Sequence, residues 1–205
     1  MITDFGADLP FGQVNAKLQE HYGIEVPVSG IRMITEQHGK ALFEHTELAG
    51  AWPDTAGTAY VIAETDGGMV PVVTIDPKAP DKRKGKQLGW QELRLCLAHE
   101  SGSRTVHYGG NFSGGVEATG RQLLDCALRG HFGNQTYVHA VGDGASWIKD
   151  QVDEQFASQG HYLIDFMHLC EYLGAAAPSC TDTPKPWLEE QKERLKTNRA
   201  MSVLE

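Results

Sequence analysis

The sequence has only four cysteines, no CxxC pair and no long apolar run. In a chain of this length such cysteines are typical of reduced thiols, and they exclude a disulfide framework or a zinc knuckle. No stretch approaches the roughly 20 apolar residues of a membrane helix, and the first residues do not resemble a signal peptide. These absences predict a soluble, cytoplasmic protein that has no membrane partner.

Positive charge is also scarce, because 18 Lys and Arg face 27 Asp and Glu and leave a net charge of −9. Proteins that bind nucleic acid by bulk electrostatics need clustered basic residues, so this class is disfavoured. An enzyme whose acidic site is screened by metal ions is compatible with the balance. The 205 residues, 40% of them hydrophobic, suffice for one domain with a small appendage.

Two catalytic signatures are missing from the sequence. Its nine histidines form no HxH or HExxH spacing, which argues against a zinc hydrolase. Serine, histidine and aspartate are all present, but no GxSxG segment exists, which argues against a nucleophilic hydrolase.

Residues 1–47 predict a helical unit. A first helix is indicated by four apolar residues at helical spacing, Phe11, Val14, Leu18 and Tyr22. Gly23 ends it, and Ser29 is the predicted N-cap of a second helix. Helix, tight turn and helix is the arrangement of a helix-turn-helix DNA-binding segment, in which Arg32 and Lys40 would face DNA. A helical hairpin that packs on a neighbour is the alternative, and acidic residues on the second helix disfavour DNA.

Residues 48–58 are rich in Gly, Ala, Pro and Thr, and predict a linker. Beyond it, residues 60–63 and 69–75 are the predicted strands of a hairpin, with Asp66 and two glycines in the turn. A basic loop follows and contains Lys82, Arg83 and Lys84. This charge run predicts either a solvated loop or a contact with a phosphate backbone.

Strand and helix then alternate. Strands are predicted over residues 90–99 (half-buried through Leu93, Leu95 and Leu97), 104–108, 137–141 and 162–164. Helices are predicted over residues 115–128, 145–156 and 166–177, a loop over 178–186, and an uncapped charged helix from 187 to 205. Trp90 and Trp147 are predicted core residues. The order predicts an α/β fold, a mixed sheet flanked by helices, over residues 59–178.

The C-terminal segment, residues 179–205, is predicted as a loop and a helix at the start of an insertion or of a truncated remainder. A chain cut within an element and an ordinary frayed end are both compatible with an uncapped helix.

The main candidate site consists of two aspartates, each followed by glycine, after apolar strands. Asp66 and Asp143 would share a cleft if their strands are neighbours. Mg²⁺ takes carboxylate and phosphate oxygens, and a pair of such ions activates water and stabilises the leaving oxygen in phosphodiester cleavage. The alternative is structural, because Asp-Gly is common in turns and either aspartate would then cap the following element.

Four segments carry a family resemblance: residues 66–72 (DGGMVPV), 90–95 (WQELRL), 142–148 (GDGASWI) and 163–173 (LIDFMHLCEYL). Over roughly residues 60–175, the sequence resembles bacterial insertion-sequence transposases of the DDE class, most closely the Kra-type family. The resemblance implies a ribonuclease-H-like catalytic core in which Asp66 and Asp143 bind Mg²⁺ or Mn²⁺. It also implies a nucleoid-associated protein whose partners are DNA (the element ends and the target) and a second copy of the chain.

The family's third acid, a glutamate on a later helix within a Gly-rich motif, has no counterpart in this sequence. Glu171 is one substitute, and a chain that stops before the third acid, inactive by itself, is the other interpretation. Asp165 and His168 are possible auxiliary residues. Either they act near the substrate, or Asp165 is an N-cap and His168 packs beside it.

Three functions follow from these observations. The leading one is a DDE transposase that cuts and joins DNA. The second is a transposase remnant that only binds DNA or oligomerises. The third is an actin-like or sugar-kinase-type ATP-binding domain, in which Asp-Gly-Gly after a strand forms a phosphate loop. That class also needs a second phosphate loop and an adenosine motif, which the sequence lacks.

Overall fold

A computed structural model describes residues 1–45, 51–81, 84–112 and 114–204. The chain divides into two compact units, Met1–Leu48 and Ala49–Glu205. Lys82 and Arg83, two of the three candidate phosphate contacts in the basic loop, lie outside the described residues, as does the beginning of the predicted linker. Over the part of the chain that is described, no helix combines the length and the apolar character needed to cross a bilayer.

The described residues of the N-terminal unit form three helices: α1 (Ile2–Asp8), α2 (Phe11–Tyr22) and α3 (Val28–His45). Their small core contains the fully buried Val14, Leu18 and Ile31. α2 ends as predicted, because Gly23 has a φ of 66°, a left-handed conformation that favours glycine. The sequence did not predict α1. The N-cap prediction for Ser29 is wrong, since α3 already begins at Val28.

The larger unit is built on a mixed sheet, which in the described residues has five strands in the order β3-β2-β1-β4-β5. The strands are β1 (Tyr60–Ile75), β2 (Lys86–Glu100), β3 (His107–Asn111), β4 (Tyr137–Gly142) and β5 (Gly160–Ile164). β2 runs antiparallel to β1 and β3, whereas β4 is parallel to both β1 and β5. The predicted α/β class with a mixed sheet is confirmed.

Helices α4 (Gly115–Arg129) and α5 (Ser146–Phe156) pack on one face of the sheet. The core between them combines alternate residues of β1 and β4 with the apolar stripes of both helices, as the strand and helix periods require. Its members include Val61, Ala63, Val138, Ala140, Leu123, Ile148, Val152 and Phe156. After β5, α6 (Phe166–Cys180) packs on α7 (Pro184–Lys196), and α8 (Met201–Leu204) follows.

β1 is one continuous strand of 16 residues, so the predicted hairpin with its turn at Asp66 is wrong. β2 pairs with β1 over nearly the whole length, from Val61 opposite Glu100 to Ile75 opposite Lys86. The glycines after Asp66 therefore stay in extended backbone. An Asp-Gly-Gly segment is typical of a turn, but a partner strand on one side overrides that local preference.

β2 buries the face opposite to the predicted one. Cys96 and Ala98 are buried, whereas Leu95 is 54% exposed. The smaller side chains suit the face on which α4 packs. β3 also begins later than predicted, at His107. Trp90 is 61% exposed, so its assignment to the core is wrong, while Trp147 packs against the core as predicted.

The C-terminal elements differ from the prediction in their bounds. α6 continues through Pro178 to Cys180 and α7 begins at Pro184, which shortens the predicted loop. α7 ends at Lys196 instead of running to the end of the chain. Asn198 has a φ of 57°, and the backbone N–H of Arg199 donates to the Arg194 carbonyl at 2.8 Å. These contacts close the helix end, so the uncapped helix was a wrong prediction.

Candidate functional site

Asp143 follows β4 directly, as the sequence predicts. Its Oδ1 accepts a hydrogen bond from the Ala145 backbone N–H at 2.8 Å, and the Tyr172 hydroxyl donates to its carbonyl oxygen at 2.9 Å. The turn before α5 is thereby fixed from both sides. Asp143 thus makes the local side-chain bond typical of an Asp-Gly turn, but it does not cap α5, whose N-cap is Ala145. It also has a fixed position at the end of the sheet.

Asp66 lies within β1, not at the end of a strand as predicted. Its position is nevertheless an edge of the sheet, because β4 pairs with β1 only as far as Glu64, which lies opposite Val141. Asp66 comes just past that last pair, and its Oδ1 accepts a hydrogen bond from the Gly67 backbone N–H at 2.7 Å. β4 therefore ends beside Asp66, and β1 continues past that point paired with β2 alone.

The structure brings Asp66 and Asp143 into the lining of one cleft, which has a volume of about 310 Å³. Glu64, Asp165 and His168 line the same cleft. Apolar residues form much of the remaining wall: Leu95, Leu97, Tyr108 and Val141. Four carboxylates from three different parts of the chain are thus gathered at one end of the sheet.

Sequence reasoning missed Glu64. Side chains of a strand alternate between its faces, so Glu64 and Asp66 share a face whereas Thr65 points to the other. Thr65 is buried and donates to the Leu95 carbonyl at 2.9 Å, while Glu64 is exposed. The alternation was available from the sequence, but the predicted turn at Asp66 hid it.

Asp165 is the N-cap of α6, as one of the two interpretations held. Its Oδ1 accepts hydrogen bonds from the backbone N–H groups of Met167 at 2.8 Å and His168 at 3.1 Å. The His168 ring Nδ1 lies 3.4 Å from the same oxygen. In addition, the Asp165 N–H donates to the Gly142 carbonyl at 2.7 Å, which fixes the end of β5 to the end of β4. Because both residues also line the cleft, the cap and a role near a substrate are compatible.

The backbone N–H of His168, followed by that of Met167, lowers the pKa of Asp165 from its ordinary value of 3.8. A carboxyl group with a lowered pKa in the folded state stabilises the fold above its unfolded pKa and loses that contribution as pH falls. We therefore expect Asp165→Ala to lower the melting temperature at pH 7, and we expect the difference from wild type to shrink below pH 3.8. Melting curves from pH 7 to acid check this. Asp182→Ala, in the loop before α7, is the matched control. If the difference in melting temperature between Asp165→Ala and wild type did not shrink in acid, the capping role would be contradicted.

The remaining candidates lie elsewhere. Glu171 is exposed on α6 and is not part of the cleft lining. In the N-terminal unit, Arg32 pairs with Glu36 at 2.7 Å, and Lys40 pairs with Glu44 at 3.6 Å. Lys84 is exposed in the loop between β1 and β2. The positive charges of α3 are therefore partly offset on their own helix.

A cysteine pair lies behind the cleft wall. Cys96 of β2, which contributes to the lining, and Cys126 of α4 are both buried, free thiols. A hydrogen bond with Cys126, together with burial, raises the pKa of Cys96. Gly109 of β3 makes room for the pair, since a Cβ atom there would lie 2.8 Å from Cys96 Sγ and 3.4 Å from Cys126 Sγ. Cys96 is accordingly a neutral thiol, and the charged ligands of the cleft are carboxylates.

The donor set of the cleft suits a hard divalent cation, because carboxylate oxygens are the ligands that Mg²⁺ prefers. Among the described residues, no group of three His, Cys, Asp or Glu side chains is already placed around a common point. Mg²⁺ is usually held by one or two carboxylates together with water and substrate phosphates. Asp66 and Asp143 fit the protein share of such a site. No protein-family model and no curated protein sequence matches this chain.

Proposed function

We propose that this chain is a DDE-type DNA transposase that cuts DNA at the ends of an insertion sequence and joins the freed ends to a target. The observation that carries the proposal is the convergence of Asp66 and Asp143 in one cleft. Each of them lies where β1 and β4, two parallel neighbours, stop pairing. Two such carboxylates are what metal-assisted phosphoryl transfer requires.

The topology supports the ribonuclease-H-like assignment. Three successive antiparallel strands, β1 to β3, are followed by β4 and β5, which lie parallel on the other side of β1. α4 and α5, which connect β3 to β4 and β4 to β5, pack on one face of the sheet. This order is compatible with a ribonuclease-H-like core, and it leaves the cleft at the carboxyl ends of the parallel strands, the usual ligand-binding edge.

In the proposed mechanism, Asp66 and Asp143 would hold Mg²⁺ or Mn²⁺ in the cleft, where the scissile phosphate would bind. The bound ion would supply an activated water and charge neutralisation at the leaving oxygen. The freed 3′-hydroxyl would then attack a phosphodiester of the target strand in the same cleft, so that a new phosphodiester bond forms and the target's own P–O3′ bond breaks and releases a 3′-hydroxyl. Asp165 is fixed by the α6 backbone, so it holds His168 at the cleft wall, where the imidazole contacts the substrate. Glu171, outside the cleft lining, has no metal contact in this mechanism.

The proposed partners are the DNA of the element ends and of the target, and the proposed location is the bacterial nucleoid. The acidic chain would meet phosphates through metal ions, with the N-terminal helices as an additional DNA contact. Arg32 and Lys40 would exchange their glutamate partners for phosphate oxygens. Lys84 would add a contact from the loop between β1 and β2.

The direct test is cleavage of supercoiled plasmid DNA by the purified chain. We expect nicking that requires Mg²⁺ or Mn²⁺, leaves 3′-hydroxyl ends, does not need ATP and stops when EDTA is added. A chain that binds DNA without cleaving it under any of these divalent ions would contradict the catalytic proposal and would favour the non-catalytic remnant. Dependence on ATP would favour the ATP-binding alternative.

A further inference from the structure

The cleft that contains Asp66 and Asp143 also has an apolar side, which metal binding does not explain. Three side chains of β2 and β3 form it, and we call them the apolar wall: Leu95, Leu97 and Tyr108. Leu95 is 54% exposed and Tyr108 is 67% exposed. A hard cation takes oxygen ligands, and a phosphate takes cations and hydrogen-bond donors, so neither uses such a surface. The apolar wall therefore indicates that the ligand of the cleft has an apolar part as well.

The strand register places the apolar wall beside the acids, on the same face of the sheet. Leu95 lies opposite Asp66 of β1. In the next row across the sheet, Leu97 lies between Glu64 of β1 and Tyr108 of β3. Adjacent strands are about 4.8 Å apart, so the backbone of Tyr108 lies about 10 Å from that of Glu64. A nucleotide whose phosphate lies at the acids can reach the Tyr108 ring with its base.

Gly110 leaves a gap in this face next to the Tyr108 ring. It lies two residues further along β3 and so shares the face of Tyr108, and a Cβ atom there would lie 3.1 Å from Leu95 Cδ2. Side chains of α4 hold the backbone on both sides of the gap. Gln122 Nε2 donates to the Gly110 carbonyl at 2.9 Å, and Arg129 Nη2 donates to the Tyr108 carbonyl at 3.1 Å. An exposed ring on a fixed backbone, with open space beside it, is suited to stacking on a flat ligand.

The charges of the cleft also favour a contact with a base. Among the described residues that line the cleft, none is a lysine or an arginine. Basic side chains that bind phosphates supply much of the affinity of ordinary nucleic-acid-binding proteins. A strand in this cleft therefore needs a source of affinity besides its phosphates and the metal ion. Stacking of a base on an aromatic ring is such a source, and it requires no charged side chain.

We propose that the Tyr108 ring stacks on an unpaired nucleobase of the strand that is cut, with the two leucines of the apolar wall beneath that base. The inference rests on the proposed function, because it places a DNA strand in the cleft. Within a duplex the neighbouring bases cover both faces of each base, so a base at Tyr108 has to leave the stack. The substrate class is therefore single-stranded DNA, or a duplex end whose last base pairs have opened. Tyr108 contacts the substrate and takes no part in the bond changes.

Two single strands of equal length isolate the contribution of the bases to binding. One is a thymidine oligonucleotide, and the other is an abasic deoxyribose-phosphate chain, which carries the same phosphates and no bases. Fluorescence anisotropy with the complete chain in Ca²⁺ gives the Kd of each. We expect the wild type to bind the thymidine strand at least ~10-fold more tightly than the abasic strand. We expect Tyr108→Ala to lower this ratio of Kd values at least ~5-fold, and Tyr108→Phe to keep it within about twofold.

Three further measurements make the test specific. Gly110→Ala fills the gap beside the ring and is expected to lower the ratio without removing a side-chain contact. Tyr60→Ala is the matched control, because Tyr60 is 51% exposed at the other end of β1 and is not part of the cleft lining, so the ratio stays unchanged. When the thymidine strand is annealed to its complement, Tyr108→Ala is expected to leave the affinity unchanged. Circular dichroism melts of each variant establish that the fold is intact.

The outcomes separate this stacking site from the proposed function. DNA cleavage by the wild type, together with an unchanged ratio in Tyr108→Ala, would overturn the stacking site and leave the transposase proposal standing. A ratio that depends on Tyr108 in a chain that never cleaves DNA would support the stacking site and contradict the catalytic proposal. Equal affinities of the wild type for the two strands, no binding of either strand, or an equal fall of the ratio in Tyr60→Ala would each overturn the stacking site.

Discussion

Asp66→Asn and Asp143→Asn are each expected to lower the rate of Mg²⁺-dependent DNA cleavage by roughly 10²–10⁴-fold. Each change removes one negative charge from the cleft in which we propose that the two carboxylates share the ion. Asparagine has nearly the same shape as aspartate, and its amide oxygen can still accept the bond from the Gly67 or the Ala145 backbone N–H. The loss should therefore reflect metal binding and not misfolding. Initial rates over a Mg²⁺ titration measure it.

The matched control for both substitutions is Asp150→Asn. Asp150 is exposed on α5 and is not part of the cleft lining. The Asp150→Asn substitution nevertheless removes the same negative charge from the chain as the two cleft substitutions do. Its cleavage rate should stay within about twofold of wild type, because an exposed charge outside the site is screened by salt. Wild-type activity in either cleft variant, or equal losses in all three, would contradict a metal site at Asp66 and Asp143.

Phe156→Ala is expected to lower the free energy of unfolding by about 3–5 kcal/mol. Phe156 is the last residue of α5 and is fully buried. Its ring packs edge-on against the ring of Phe132, with the two centroids 5.4 Å apart. Removing the ring leaves a cavity between α5 and the sheet, in the layer that sets the position of β4 and hence of Asp143. Urea denaturation followed by circular dichroism measures the change.

Phe112→Ala is the matched control for the core substitution. The Phe112 side chain is 43% exposed just after β3, so the same truncation should cost less than about 1 kcal/mol. Similar losses in the two variants would mean that α5 does not pack on the sheet in the way the core requires. The position of Asp143 would then lose its structural basis.

The sequence predicted best where the local pattern and the tertiary environment agree. β4 alternates apolar and other residues up to Gly142, and α5 carries a helical stripe, so the place of Asp143 between them could be predicted. The N-cap role of Asp165 was similarly local, because a capping aspartate bonds to N–H groups within its own helix. These features need no knowledge of distant segments.

The errors came from long-range pairing. The segment after Asp66 has the composition of a turn, but antiparallel pairing with β2 holds it in extended form. β2 begins only after the loop that follows Ile75. The same pairing places Trp90 where β1 and β2 pair only with each other, beyond the residues that pair with β3 and β4. An aromatic residue typical of a core is therefore exposed instead. Glu64 was missed for the same reason. Which face of β2 is buried depends on where α4 packs, and the alternation of leucines along the strand does not reveal it.

The most direct measurement is the position of Mn²⁺, a Mg²⁺ substitute with an anomalous signal, in crystals soaked with the ion. We expect one anomalous peak in the cleft, within about 2.5 Å of a carboxylate oxygen of both Asp66 and Asp143, and its loss in Asp66→Asn crystals. Ion density elsewhere on the chain, or a cleft that stays without ion while these two carboxylates face apart, would contradict it.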